Sequence, residues 1–243
     1  MATLTRDRTR GVSALRGWSR LYTWGAFAAA FSVIFYLAAL GMFLVMAETP
    51  TRDGHAILAY VDAHRAGYVA RQVLWAIPNG LLMVTFLALA VALRQFDRPL
   101  AVVAGLFTVS SWAIAVGWVT TGDGSFAMVT LADRYAGATT DGERAALAGA
   151  AETLMALNDA PAANGVLQTI GILLFGLLLL RSDWSRAFAW LGVVTGVLGI
   201  VSESLKPLLG GAYAIYGILL FIWMAWLAVE LWRRCGDDIG EPL

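Results

Sequence analysis

Residues 21 to 47 read LYTWGAFAAAFSVIFYLAALGMFLVMA, twenty-seven consecutive positions without a charged side chain. The hydrocarbon core of a bilayer, about 30 Å thick, takes roughly 20 apolar residues in a helix. Only helices and closed barrels satisfy their own backbone hydrogen bonds there. Leu21 to Ala47 therefore reads as a membrane-spanning helix. Its apolar stretch is far longer than the 7 to 15 or so residues of a signal-peptide core, so a retained helix is expected.

Five further uncharged stretches follow: Gln72 to Leu93, Pro99 to Gly122, Ala160 to Leu180, Ala187 to Ser202 and Pro207 to Val229. The fifth of the six is the shortest. At 1.5 Å per residue it reaches only about 24 Å, so it must continue past Glu203 or cross a thinned region. The expected fold class is all-α, a polytopic membrane protein of six transmembrane helices. Composition agrees: 59% of residues are hydrophobic and 14% charged, with a mean hydropathy of +0.70. Soluble domains are about half apolar and a quarter charged, so a soluble domain is excluded.

Arginine in the flanks and short turns orients such a bundle. Arg6, Arg8, Arg10, Arg16 and Arg20 face only Asp7 in the first twenty residues, Arg94 with Arg98 and Arg181 with Arg186 mark two turns, and Arg233 with Arg234 closes the last span. Six spans bring all of these to one side, which predicts both termini in the cytoplasm. Residues 1–20 form a basic tail, 21–234 the transmembrane domain and 235–243 a short second tail. The segments 48–71 and 123–159 become outer loops, the second acidic through Asp133, Asp141, Glu143 and Glu152. Trp18, Tyr22, Trp24, Trp184, Trp190 and Trp232 at the inner ends, and Tyr68, Trp118 and Tyr213 at the outer ends, are expected in interfacial belts.

In the second outer loop Thr140-Asp-Gly-Glu143 is a capping box, and Leu147, Ala150, Leu154 and Leu157 recur at helical spacing. An amphipathic helix from about Asp141 to Asn158 is expected, either shielding the bundle or serving as a lid. A shorter helix in the first loop would place Ile57, Val61 and His64 on one side.

Gly192, Gly196, Gly199 and Glu203 fall at spacings of four, three and four, hence on one face of the fifth span. Small residues on such a face let a neighbouring helix approach closely. Glu203 is then aimed into the bundle or its mouth, with Lys206 three residues on and placed for an ion pair if the helix continues. Gln72 and Asn79 share a face of the second span, which Pro78 interrupts, and Asn164 and Gln168 share a face of the fourth. Intramembrane polar residues point by default to function. Gln72, Asn79, Asn164, Gln168, Glu203 and Lys206 are accordingly the ligand-cavity candidates, in an outward-facing polar cavity that takes a small lipophilic or polar molecule. The alternative is that the amides are interhelical hydrogen-bond glue and the acid a structural ion pair.

Other chemistry lacks support. His55 and His64, the only histidines, match no metal-ligand spacing. Neither lies in a span where it would hold a haem, and no metal or other cofactor is expected. The lone Cys235 forms no internal disulfide. A formal net charge of zero offers nothing to nucleic acid. Lys206 is the single lysine beside sixteen arginines, and together with heavy Ala and Gly use this points to a GC-rich bacterial genome.

From Glu143-Arg144 to Lys206, the helix ending in Asn158-Asp159, the run Gly171-Ile-Leu-Leu-Phe-Gly176 leading to Leu180-Arg181-Ser182, and Trp190-Leu191-Gly192 resemble the bacterial membrane family catalogued as domain of unknown function 4386. The segment after Arg186 departs from that family's usual Pro-Arg turn. The resemblance implies a small multi-pass protein of the bacterial cytoplasmic membrane without an assigned activity, and it carries over no functional residue. Three functions stay open: a non-enzymatic protein that binds or moves a small molecule, an intramembrane enzyme acting on a lipid or isoprenoid with Glu203 as acid or base, and a structural or regulatory subunit.

Overall fold

A computed structural model of the chain describes residues 18–117, 120–121 and 124–237, with side chains described for all of these except 120–121 and 235–237. The expectations for Arg6, Asp7, Arg8, Arg10, Arg16, Trp118 and the Cys235 thiol lie outside the described residues.

Six spans are present, and the chain is an integral membrane protein of helical, multi-pass architecture. They are α1 (Ser19–Val45), α3 (Arg65–Leu93), α4 (Arg98–Gly117), α7 (Ala163–Leu179), α8 (Arg186–Ser204) and α10 (Tyr213–Asp237). Three helices lie between spans at one end: α2 (Gly54–Ala63), α5 (Ala127–Gly137) and α6 (Asp141–Asp159). That end is termed the loop end, and the opposite one the turn end. A four-residue α9 (Lys206–Leu209) and a 3-10 turn over Gly210–Ala212 join α8 to α10. The only strands among the described residues are a two-residue hairpin, β1 (Thr120–Thr121) against β2 (Gly124–Ser125), with Thr120 opposite Ser125.

Each span packs on its neighbours in the chain: α1 on α3, α3 on α4, α4 on α7, α7 on α8, and α8 on α10. α10 then packs on α1, so the six helices close into a ring. The outer surface is apolar, with Phe31, Ile34, Leu37, Leu44, Val102, Leu106 and Ile218 exposed. In water such a belt would be a liability, and in lipid it is the required solvent-facing surface.

The glycine face of α8 is buried as its spacing predicts. A Cβ at Gly196 would lie 2.6 Å from Leu173 of α7, and one at Gly192 would lie 2.7 Å from the Trp223 indole of α10. The close approach of three helices therefore rests on the missing side chains. The short fifth span resolves by extension. α8 runs through Glu203 to Ser204, which gives nineteen residues and a length near 28 Å.

At the turn end the centre of the ring is filled with aromatic rings. Phe86 of α3 stacks on Trp112 of α4, Phe175 of α7 and Trp223 of α10, with centroids 6.5, 6.0 and 6.1 Å away. Phe188 of α8 stacks on Trp223 at 5.5 Å.

The helices of the loop end form their own small core from Ile57, Leu58, Val61, Tyr68, Met128 and Met155. Asp53 caps α2 by accepting from the backbone N–H groups of His55 and Ala56. Thr140 caps α6 by accepting from Glu143, as the capping box predicts. The buried face of α6 is centred on Ala148, Ala151 and Met155, not on Leu147, Ala150, Leu154 and Leu157. Leu147 and Leu154 flank this face, while Leu157 is exposed. The reason is proximity: Gly54 lies against the Ala148 backbone and donates its N–H to Glu152 at 2.9 Å. Only small residues fit there. α2 ends at Ala63, so His64 is its C-terminal cap and does not extend its apolar side.

Several belt positions are revised. Trp24, Trp190 and Trp232 are exposed, as interfacial side chains should be. Tyr68 is wholly buried and donates to the Ser125 carbonyl, and Trp184 is buried against Phe188 and the Arg234 guanidinium. Tyr22 is also buried.

Candidate functional site

α3 starts at Arg65, seven residues before the uncharged run, because Arg71 is satisfied inside the protein. Its guanidinium donates to Thr49 at 2.9 Å and lies 4.4 Å from the centre of the Phe43 ring. One turn further on, the loop-end half of the ring encloses a cavity of about 260 Å³ to which all six spans contribute. Tyr36 enters from α1, Trp75 and Asn79 from α3, and Trp112 from α4. Asn164 and Gln168 come from α7, Glu203 from α8, and Tyr213, Tyr216 and Phe221 from α10. Trp112 is shared with the aromatic stack, so the stack borders the cavity.

Four of the six predicted residues meet here. Asn79 accepts from the Tyr36 hydroxyl at 3.3 Å and donates to the Ala115 carbonyl at 3.2 Å, so it ties α1, α3 and α4 together. Pro78 directly before it lacks an N–H and leaves the Leu74 carbonyl without its usual helical donor. Glu203 is 8% exposed and accepts from the Tyr213 hydroxyl at 2.8 Å. Room for its carboxyl exists because residue 165 is glycine; a Cβ there would collide with it.

Asn164 uses its backbone carbonyl to accept from Ser111 at 2.6 Å. Gln168 is 8% exposed, and its side-chain amide has no hydrogen-bond partner among the described residues. The Trp75 and Trp112 indole N–H groups likewise lack partners. The amides thus divide: Asn79 bridges three helices as interhelical glue does, whereas the Gln168 side chain bonds to none of the described residues.

Two predicted residues fall elsewhere. Gln72 is wholly buried and does not line the cavity. Lys206 makes no ion pair with Glu203: its ammonium donates to the Asn158 carbonyl and lies 5.7 Å from the centre of the Tyr213 ring. The pairing expected at three residues' spacing needs a continuing helix. Leu205, with φ −110 and ψ 17, leaves the helical path instead. Lys206 lines a second recess of about 340 Å³ with Asp159, Pro207 and Gly210, and Tyr213 borders both spaces.

Sequence reasoning did not single out Tyr36, Trp75, Trp112 and Tyr216, and it placed Tyr213 in an interfacial belt. An aromatic ring in an apolar run carries no sequence signal that separates a cavity wall from core or lipid-facing surface. Among the described residues no group of three His, Cys, Asp or Glu side chains is placed to hold a metal ion. His55 contacts the Tyr135 hydroxyl and His64 the Tyr60 carbonyl.

No protein-family model, no curated protein and no solved structure matches the chain.

Proposed function

We propose that this chain is a protein of a bacterial cytoplasmic membrane, of the kind its family resemblance implies, with both termini in the cytoplasm. In this reading it binds or moves a small molecule through the loop-end cavity, without chemical conversion. The observation that carries the reading is the lining of that cavity: every span contributes, and the Gln168 side chain lines it without a hydrogen-bond partner among the described residues. A few polar side chains from several spans sharing one space with aromatic rings are the ordinary make-up of a ligand site. The arginine-rich turns support the orientation, which opens the cavity outward.

The test is a panel of cationic, anionic and neutral solutes offered to the purified full-length protein, read as thermal stabilisation and as uptake into proteoliposomes. At least one class is expected to raise the melting temperature in a concentration-dependent way. If none does so and uptake stays at background, the reading fails. If Glu203→Gln instead alters the lipid extract of an expressing strain, an intramembrane enzyme replaces it.

A further inference from the structure

We infer that the cavity is a site for a small organic cation, an amine or quaternary ammonium compound, whose charge Glu203 neutralises and whose alkyl body lies against the aromatic wall. This deepens the proposed function and rests on it.

Glu203 brings a buried carboxylate into a half-open cavity lined by aromatic rings and amides, among them Trp75 and Asn79 of α3 and Trp112 of α4. α10 presents the Tyr213 hydroxyl, bonded at 2.8 Å, and the Tyr216 ring. α7 presents Asn164, Gln168 and the bare backbone of Gly165. α1 presents Tyr36, and no arginine or lysine among the described residues lines the cavity. The nearby cation, Lys206, is committed to the Asn158 carbonyl outside it. The Tyr213 hydroxyl and the charge of Lys206, which makes no ion pair with Glu203, compensate the buried carboxylate only in part, and a cation from outside removes the deficit.

The rest of the lining distinguishes a bulky organic cation from a metal ion. A hard metal ion takes six or more oxygen ligands, and one carboxylate among aromatic rings does not supply them. Aromatic faces do attract ammonium groups centred within about 6 Å of the ring, most strongly where water is excluded. Tyr36 packs on Trp75 and Phe221 at 4.9 and 5.4 Å, and Tyr213 meets Tyr216 edge-on at 5.9 Å. Two aromatic groupings thus flank the space beside the carboxyl. The Gln168 amide oxygen adds an acceptor for an amine N–H. An anion is disfavoured by the same carboxylate.

The experiment uses the full chain in lipid nanodiscs and equilibrium dialysis with benzyltrimethylammonium, beside neopentylbenzene, its uncharged carbon isostere. The expected result is saturable binding of the cation, no competition from the isostere, and at least a tenfold weaker affinity in Glu203→Gln. Equal competition by the isostere, or unchanged affinity in Glu203→Gln, overturns the cation assignment while leaving a small-molecule cavity in place. Absence of saturable cation binding also overturns it, and the broader solute panel then decides separately whether the cavity binds anything.

Should Glu203→Gln fail to fold, the wild-type chain supplies a second measurement. Dicyclohexylcarbodiimide modifies buried carboxyls, and peptide mass spectrometry locates the product. Benzyltrimethylammonium is expected to slow modification at Glu203 several-fold and to leave Glu230 unchanged, since Glu230 is bonded to Trp226 near the turn end. Equal rates at Glu203 with and without the cation refute the inference.

Discussion

Gly196→Ala tests the packing that places Glu203. A Cβ at position 196 would lie 2.6 Å from the N, Cα and Cβ of Leu173. Carbon atoms rest at about 3.5–4.0 Å, so the overlap is roughly 1 Å, and two of the opposing atoms are backbone. No rotamer change relieves it; α7 and α8 must part. The same seam holds Gly176, where an added Cβ would lie 2.6 Å from the Val193 nitrogen, so the separation strips contacts along most of the interface. Overpacking of this kind costs about 1–3 kcal/mol. For a chain of this size each kcal/mol shifts the melting temperature by about 2–4 °C, which predicts a fall of about 2–12 °C. The assay is thermal unfolding in mild detergent with Gly41→Ala as control, since nothing lies within 4 Å of a Cβ there. The control should be neutral or slightly stabilised, as alanine is the better helix former. A Gly196→Ala melting temperature equal to that of the control would refute the tight seam.

Tyr213→Phe removes the donor to Glu203 and should cost about 1–2 kcal/mol of stability, measured by the same melts; no loss would mean that the hydroxyl is not engaged. At the loop end, the hydrogen bond from Arg65 holds the Asp133 carboxyl below its ordinary value of 3.8. Its contribution is therefore fully present above that pH and fades as pH falls through the lower folded-state value. Amide exchange in α5 should be slower in wild type than in Asp133→Asn at neutral pH, and the two should converge in acid. For orientation, a Cys235→Ser background carrying Thr139→Cys should react with an impermeant maleimide in intact cells, and one carrying Ser182→Cys should not. The opposite pattern would invert the proposed topology.

The six spans were legible because lipid removes the ambiguity of short apolar runs: a stretch that long and uncharged has one stable form. Legibility failed where a polar group finds its partner inside the protein. Arg71 ended the second uncharged run, yet Thr49 and Phe43, some two dozen residues earlier, let the helix carry it. Lys206 looked like the partner of Glu203 because i,i+3 reasoning assumes an unbroken helix, and a single residue, Leu205, cancels the assumption. The amides Asn79, Asn164 and Gln168 were identifiable because intramembrane polarity stands out. The aromatic wall was not, since Tyr36 or Trp112 in an apolar run has the same pattern whether it faces lipid, core or a void. Only the closing of the ring, with α10 against α1, separates the three cases.

In the proposed reading, the stacked rings next to the cavity make it a cup and not a tunnel. To let cargo through, Phe86 would have to leave Trp112, Phe175 and Trp223. At about 0.5–1.5 kcal/mol for each aromatic pair, that step forgoes roughly 1.5–4.5 kcal/mol. The through-open form is then roughly between one molecule in ten and one in two thousand, a minor population of the size from which ligands select. A bound ligand that favours the open form shifts that ratio only by the difference between its affinities for the two shapes. In the proposed reading, holding a ligand or passing it across is thus a matter of how Phe86 and its neighbours respond to an occupied cup.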